Sequence, residues 1–140
     1  MRDWRGDWIV SFKSDLYLPQ VVLGHARLGA INFHPAPPRY RGLGGYSLAL
    51  HNSDTTFGVT CHHMDETLDH GPIIAVREFP ILPCRTVAAL RAQTAIECLH
   101  LLHEVVTLIA MAHPLPVSTA AWSDHLFTIA EVKQIVDQHV

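Results

Sequence analysis

Residues 29–46 read GAINFHPAPPRYRGLGGY, and this run decides the fold. Its first six residues have the apolar, β-favouring character of a short buried strand, and the Pro and Gly cluster behind them must end that strand in a loop. Side chains two apart on a strand point to the same face, so Asn32 and His34 are presented side by side. A strand end that opens into a loop is where open α/β sheets place ligands.

Upstream, residues 8–12 (WIVSF) read as a buried strand and 13–15 as a polar turn, after which Pro19 opens a short helix to about residue 26. Strand, helix and strand in that order imply a parallel pair, and two parallel strands alone cannot build a sheet covered on both faces. Downstream, 46–52 reads as a helix capping the loop and 55–64 as a third strand. A fourth strand follows Gly71 over 72–80, with Ile73, Ile74, Val76 and Phe79 apolar. Residues 86–113 change to helical spacing, with Ala89, Leu90, Ile96, Leu99, Leu102, Val105, Val106 and Ile109 as a broad stripe for one sheet face. Pro114 and Pro116 end it, and an extended stretch leads to a short helix over 129–140. The chain reads as one α/β domain over 1–140, with 114–140 as an extended tail and terminal helix.

With 140 residues, 49% of them hydrophobic, the chain can bury a real core. A net charge of -3 and a pI near 6.4 give no electrostatic case for nucleic acid or an anionic membrane surface. The charged opening MRDWRGD is no signal peptide, and no apolar run reaches membrane-spanning length. The three cysteines are odd in number and unevenly spaced, so they read as free thiols of a cytoplasmic protein. Eleven histidines raise the question of metal. Yet His62 and His63 are strand neighbours facing opposite sides, and His100 with His103 lacks carboxylates at ligand spacing, so no metal is expected.

An Asn and a His on one strand face, without a good nucleophile nearby, suit a transfer reaction that forms no covalent enzyme intermediate. The acid chosen to complete them is Asp69 of DETLDHG, because Gly71 lets that loop turn back towards the strand ends. A carboxylate there would favour protonated His34 and orient it, while the Asn32 amide would donate to a developing oxyanion. Taken alone, these residues leave open the alternative of two structural polar groups on a strand.

The surrounding words carry more. Asn32-Phe33-His34-Pro35, Pro38-x-Tyr40-Arg41-Gly42, Gly58-Val59-Thr60, Met64-Asp65 and Leu68-Asp69-x-Gly71 with Ile73 resemble, in order and spacing, the catalytic half of the N10-formyltetrahydrofolate-dependent formyltransferases. Leu16-x-Leu18-Pro19 looks like that family's folate-side loop, and the resemblance covers roughly residues 7–86. It implies a Rossmann-type fold with a mixed sheet and a long C-terminal helix, lacking its first β-α units. It also implies formyl transfer from N10-formyltetrahydrofolate to a primary amine, with Asn32, His34 and Asp69 as the catalytic trio. The pterin end of the folate would lie between 16–19 and 64–69, which names Leu16, Leu18, Met64, Asp65, Glu66 and Asp69 as its contacts.

Members of the family carry about two to three further β-α units before the strand that here starts at Trp8. The expectation is therefore an N-terminally shortened catalytic half whose uncovered edge could support a homo-oligomer. The acceptor would be a small-molecule amine, with an amino sugar nucleotide as the candidate. One alternative is a truncated or inactive module acting in binding or assembly, and another is activity on methionyl-tRNA. His62 matches a histidine common in the family near the active site. Arg39 and Arg41 could meet an acceptor's phosphate, though a structural use is the more ordinary one. Burial is the ordinary use for Trp4, Trp8, Phe12 and Tyr17, and Phe33 and Met64 read as core.

Overall fold

The computed structural model describes residues 3–14 and 16–137. The end of the expected turn at Asp15 and the last three positions of the expected terminal helix lie outside the described residues.

Four strands form the main sheet: β1 (Gly6–Phe12), β2 (Ala26–His34), β4 (Thr56–His63) and β5 (Ile73–Pro80), in the order β1-β2-β4-β5. β1 and β2 are parallel, as the strand-helix-strand order requires, whereas β4 runs antiparallel to both β2 and β5. The short β3 (Arg41–Gly42) pairs in parallel with β6 (Leu126–Phe127), which ties the tail to the loop behind β2.

The connection between β1 and β2 is shorter in its helix than the sequence suggests. α1 is one turn, Gln20–Leu23, and β2 already starts at Ala26. Pro19 sits outside the turn as its extended N-cap at φ -68° and ψ 155°. Pairing of Gly6 with Ala26 draws the next residues into the sheet, and ladder hydrogen bonds outweigh the weak propensity of a nucleus this short.

α2 (Gly45–His51) and α3 (Val87–Ala110) cover the core face of the sheet. Thr86 caps α3 by accepting from the Ala89 N–H at 3.1 Å. The core joins Ile31 and Phe33 of β2, Phe57, Val59 and Cys61 of β4, Ile74 and Phe79 of β5, and Leu90, Cys98, Leu101 and Val105 of α3. Period two along β2 thus sends Ile31 and Phe33 inward and leaves Asn32 and His34 on the opposite face.

The α3 stripe is narrower than expected. Leu90, Thr94, Cys98, Leu101 and Val105 are buried, whereas Ile96, Leu99 and Val106 are 56%, 54% and 39% exposed. The helix is apolar over well more than half of its girth, so periodicity cannot select the buried strip within it; the one sheet beneath it does. Among the described residues β1 pairs with β2 alone, and Val10 and Leu28 are exposed there. The final helix, α4 (Ile129–Asp137), buries Val132 and packs on α2.

Candidate active site

Register places the first two groups. Asn32 of β2 lies directly across from His62 of β4, so their side chains leave the same face of the sheet. Asn32 Nδ2 and His62 Nε2 are 3.2 Å apart. The Nδ1 of His62 is 2.9 Å from the His63 carbonyl oxygen, a contact that requires a proton on Nδ1. Neutral His62 then accepts at Nε2 from the Asn32 amide. Burial, first of all, pushes the His62 pKa down, with His34 adding to it and the His63 carbonyl, Asp69 and Asp65 opposing it. The remaining oxygen, Asn32 Oδ1, is buried without a partner.

His34 is fixed from both sides. Its Nε2 donates to the Tyr40 carbonyl at 2.9 Å, and its Nδ1 lies 3.4 Å from Asp69 Oδ2. Both ring nitrogens face acceptors, a pattern that a doubly protonated ring satisfies in full. The other carboxylate oxygen, Asp69 Oδ1, is 3.7 Å from His62 Nε2.

Asp69 reaches this position on a strained backbone, at φ 46°. Its Oδ2 accepts from the Gly42 N–H at 2.9 Å, and Arg41 holds the loop in place. The Arg41 guanidinium donates to the carbonyls of Asp69 at 2.7 Å, Leu68 at 3.3 Å and Ser123 at 3.1 Å. Gly71 acts differently from the expectation. Asp69, rather than Gly71, takes the left-handed conformation, and Gly71 is needed because a Cβ there would collide with the His63 carbonyl.

These groups meet at a cavity of about 200 Å³. Asn32, His34, His62 and Asp69 line it together with Leu16, Tyr17 and Leu18 on one side and Met64, Asp65 and Leu68 on the other. Five of the six expected folate contacts therefore border one space. Glu66 does not: it is exposed, because Asp65 Oδ1 accepts from the Thr67 N–H at 2.8 Å and turns the intervening residue outward. Burial would raise the Asp65 pKa, but hydrogen bonds from His70 and the Thr67 N–H hold it below the usual range.

The ordinary, structural use of the two arginines holds: Arg41 is buried and spent on backbone carbonyls, and Arg39 donates to the Thr56 carbonyl at 2.8 Å; neither borders the cavity. Other expectations change. Tyr17 is 52% exposed on the cavity rim and Trp4 43% exposed, so neither is core. Met64 is half-buried on the cavity wall. The tail also brings in Trp122, to which the sequence pattern gives no role. Its indole N–H donates to the Gly71 carbonyl at 2.8 Å, and its ring lies edge-on to His62. Nothing local in the tail marks it. Among the described residues no group of three or more His, Cys, Asp or Glu is placed to hold a metal ion, and no helix is long and apolar enough to cross a membrane.

The chain is similar to known proteins in sequence and in fold. Residues 1–106 match the formyl transferase family. Methionyl-tRNA formyltransferase of Aromatoleum aromaticum is 37% identical over 82% of this chain and 39% of its own length. The same enzyme from Chromohalobacter salexigens is 40% identical over 64% of this chain and 28% of its own. This chain thus spans well under half the length of these relatives. A sugar N-formyltransferase from a Shewanella species shares the fold at a TM-score of 0.69 and 20% identity, over 92% of this chain and 58% of that one. An N-formyltransferase from Helicobacter canadensis, solved with folinic acid and dTDP-3-aminofucose, also has a TM-score of 0.69 at 20% identity, over 87% of this chain and 45% of its own.

Proposed function

The chain belongs to the formyl transferase family, and from that premise we propose that its cavity binds the formyl-bearing end of N10-formyltetrahydrofolate and passes the formyl group to a primary amine. The observation that carries this reading is the convergence of Asn32, His34 and Asp69 on one cavity.

The folate supplies an electrophilic formyl carbon. Attack by an amine nitrogen makes the new C–N bond, breaks the bond from that carbon to N10 of the folate, and transfers one proton net from the amine to N10. The second N–H of Asn32 Nδ2 is the donor for the formyl oxygen as it gains charge, and the His34 ring, whose two nitrogens face Tyr40 and Asp69, places its positive charge beside that oxygen when doubly protonated. Asp69 orients His34 and is the acceptor for the amine's proton, directly or through water. The orphaned Asn32 Oδ1 is the only unpartnered buried side-chain oxygen among the described residues. Leu16, Leu18 and Met64 give apolar walls for a flat ring.

Two acceptors have support. An amino sugar nucleotide is favoured by the ligand of the Helicobacter canadensis structure, and the net charge of -3 gives no electrostatic support to a tRNA acceptor. Methionyl-tRNA is favoured by the 37% identity to the Aromatoleum aromaticum enzyme. The reaction would proceed in the cytoplasm, where thiols stay reduced.

The test is calorimetric titration with folinic acid, a formyl-bearing folate, in the native chain and in His34→Ala, followed by turnover with each acceptor. Stoichiometric binding weakened by the substitution supports the reading. A folded chain that binds no folinic acid refutes it, and binding without turnover on any amine would favour an inactive binding module.

A further inference from the structure

The tail between α3 and α4 returns across the sheet to the histidines. Ser118 N–H donates to the Ile73 carbonyl at 3.0 Å and Ser123 N–H to the Pro38 carbonyl at 3.1 Å. Arg41 donates to the Ser123 carbonyl, and Leu126 and Phe127 pair with Arg41 and Gly42. Between these anchors stands Trp122. Its ring centroid is 5.0 Å from that of His62 with the planes at 87°, and 5.9 Å from that of His34 at 62°. The indole N–H closes the arrangement by donating to Gly71, two residues beyond Asp69. Trp122 touches both imidazoles without bordering the cavity, so it meets no substrate there.

We propose that the tail is a strap and that Trp122 is a positioning residue, whose ring fixes the two imidazoles so that His34 Nδ1 faces Asp69 and His62 Nε2 faces Asn32. A tilted imidazole loses its hydrogen bonds steeply with angle, and a rigid aromatic wall prevents the tilt at little entropic cost. The same wall keeps water from the His62 ring. The consequence for formyl transfer rests on the function proposed above; the ring contacts do not.

The test reads the rings directly. The titratable groups around His62 are His34 on β2, His63 on β4, and Asp65 and Asp69 on the loop after β4. Imidazole titrations followed by nuclear magnetic resonance in the full chain are compared for the native protein, Trp122→Ala and Trp122→Phe. Removing the wall admits water, so Trp122→Ala raises the His62 midpoint by about half a pH unit or more. Trp122→Phe, which keeps a ring, restores most of the native value. An unchanged midpoint in folded Trp122→Ala, or a shift in Trp122→Phe as large as in Trp122→Ala, overturns the proposal. Should Trp122→Ala not fold, the native protein decides. The Trp122 indole N–H resonance moves with the His62 titration if the contact holds, and a resonance constant across that range overturns it. Folinic acid binding by the native chain is measured alongside, and its failure counts against the formyl-transfer reading alone.

Discussion

Asp69 Oδ2 stands 3.4 Å from His34 Nδ1, farther than from the Gly42 N–H, which it meets at 2.9 Å. The backbone therefore holds the carboxylate, and the imidazole is a neighbour within reach rather than the anchor. Hydrogen bonds of catalytic groups are often long before substrate is bound and tighten afterwards.

Removing a member of the trio should cost rate more than fold. Asn32→Ala, His34→Ala and Asp69→Asn are each expected to lower kcat/KM for formyl transfer by about 100-fold or more, equivalent to roughly 3 kcal/mol for a lost oxyanion donor. Steady-state kinetics on an accepted amine check this, and near-native turnover in all three would remove the assignment.

Arg41→Lys should loosen the Asp69 loop although the charge is kept. The guanidinium spans the Asp69, Leu68 and Ser123 carbonyls at once, and an ammonium cannot reproduce that fork. A loss of about 2 kcal/mol of stability is expected for charge-assisted bonds of this kind, together with faster hydrogen exchange in the loop; a native melting temperature would contradict it.

Gly71→Ala tests a close approach. The added methyl would meet the His63 carbonyl oxygen, a backbone atom that cannot rotate away. Overpacking of this sort costs about 1–3 kcal/mol, and thermal unfolding should show it as a lower Tm.

Stability should fall on mild acidification. Burial lowers the His62 pKa in the fold, and that of His63 likewise, whereas an unfolded imidazole titrates near about 6.5. Below that pH the unfolded chain binds protons that the native one refuses, so stability is full above it and falls as pH drops towards the folded values. A second decline, below about 4, comes from Asp65 and Glu97. Burial alone would raise the Asp65 pKa, but hydrogen bonds from His70 and Thr67 leave it lowered; for Glu97 the Arg77 hydrogen bond is the main lowering cause. Urea unfolding across pH 5–8 should show the first slope, and His62→Gln should flatten it.

Thiol labelling should separate the cysteines. Burial pushes Cys61 up to about 12 and Cys98 up to about 11, while Cys84 is exposed. Iodoacetamide at neutral pH is expected to modify Cys84 alone in the native protein, as mass spectrometry would show, and Cys61 and Cys98 only on unfolding.

Much of this architecture was legible from local pattern. Period two along 29–34 put Asn32 and His34 on one face, and the order of strand, helix and strand required β1 and β2 to be parallel. The same rule applied to β4 would have aligned Thr60 with His62, but only register shows that His62 faces Asn32. Local pattern failed where competing forces were distant. The helix expected to run to about residue 26 shrank to Gln20–Leu23 because β1 captured the chain after it. The apolar girth of α3 hid which side would be buried, and Glu66 lost its place at the cavity to the turn made by Asp65.

The sequence by itself determined the four long strands and the long helix, the face shared by Asn32 and His34, and the family motifs, because each depends on a period or spacing within a few residues; the short β3 and β6 pair only through the path of the tail. Tertiary structure alone decided that Arg41 braces the Asp69 loop instead of meeting a ligand, that His62 joins Asn32, and that Trp122 returns from the tail to both histidines. Those relationships join residues far apart in the chain. They exist only once burial of the core has fixed strand register and the path of the tail, and no local propensity encodes either.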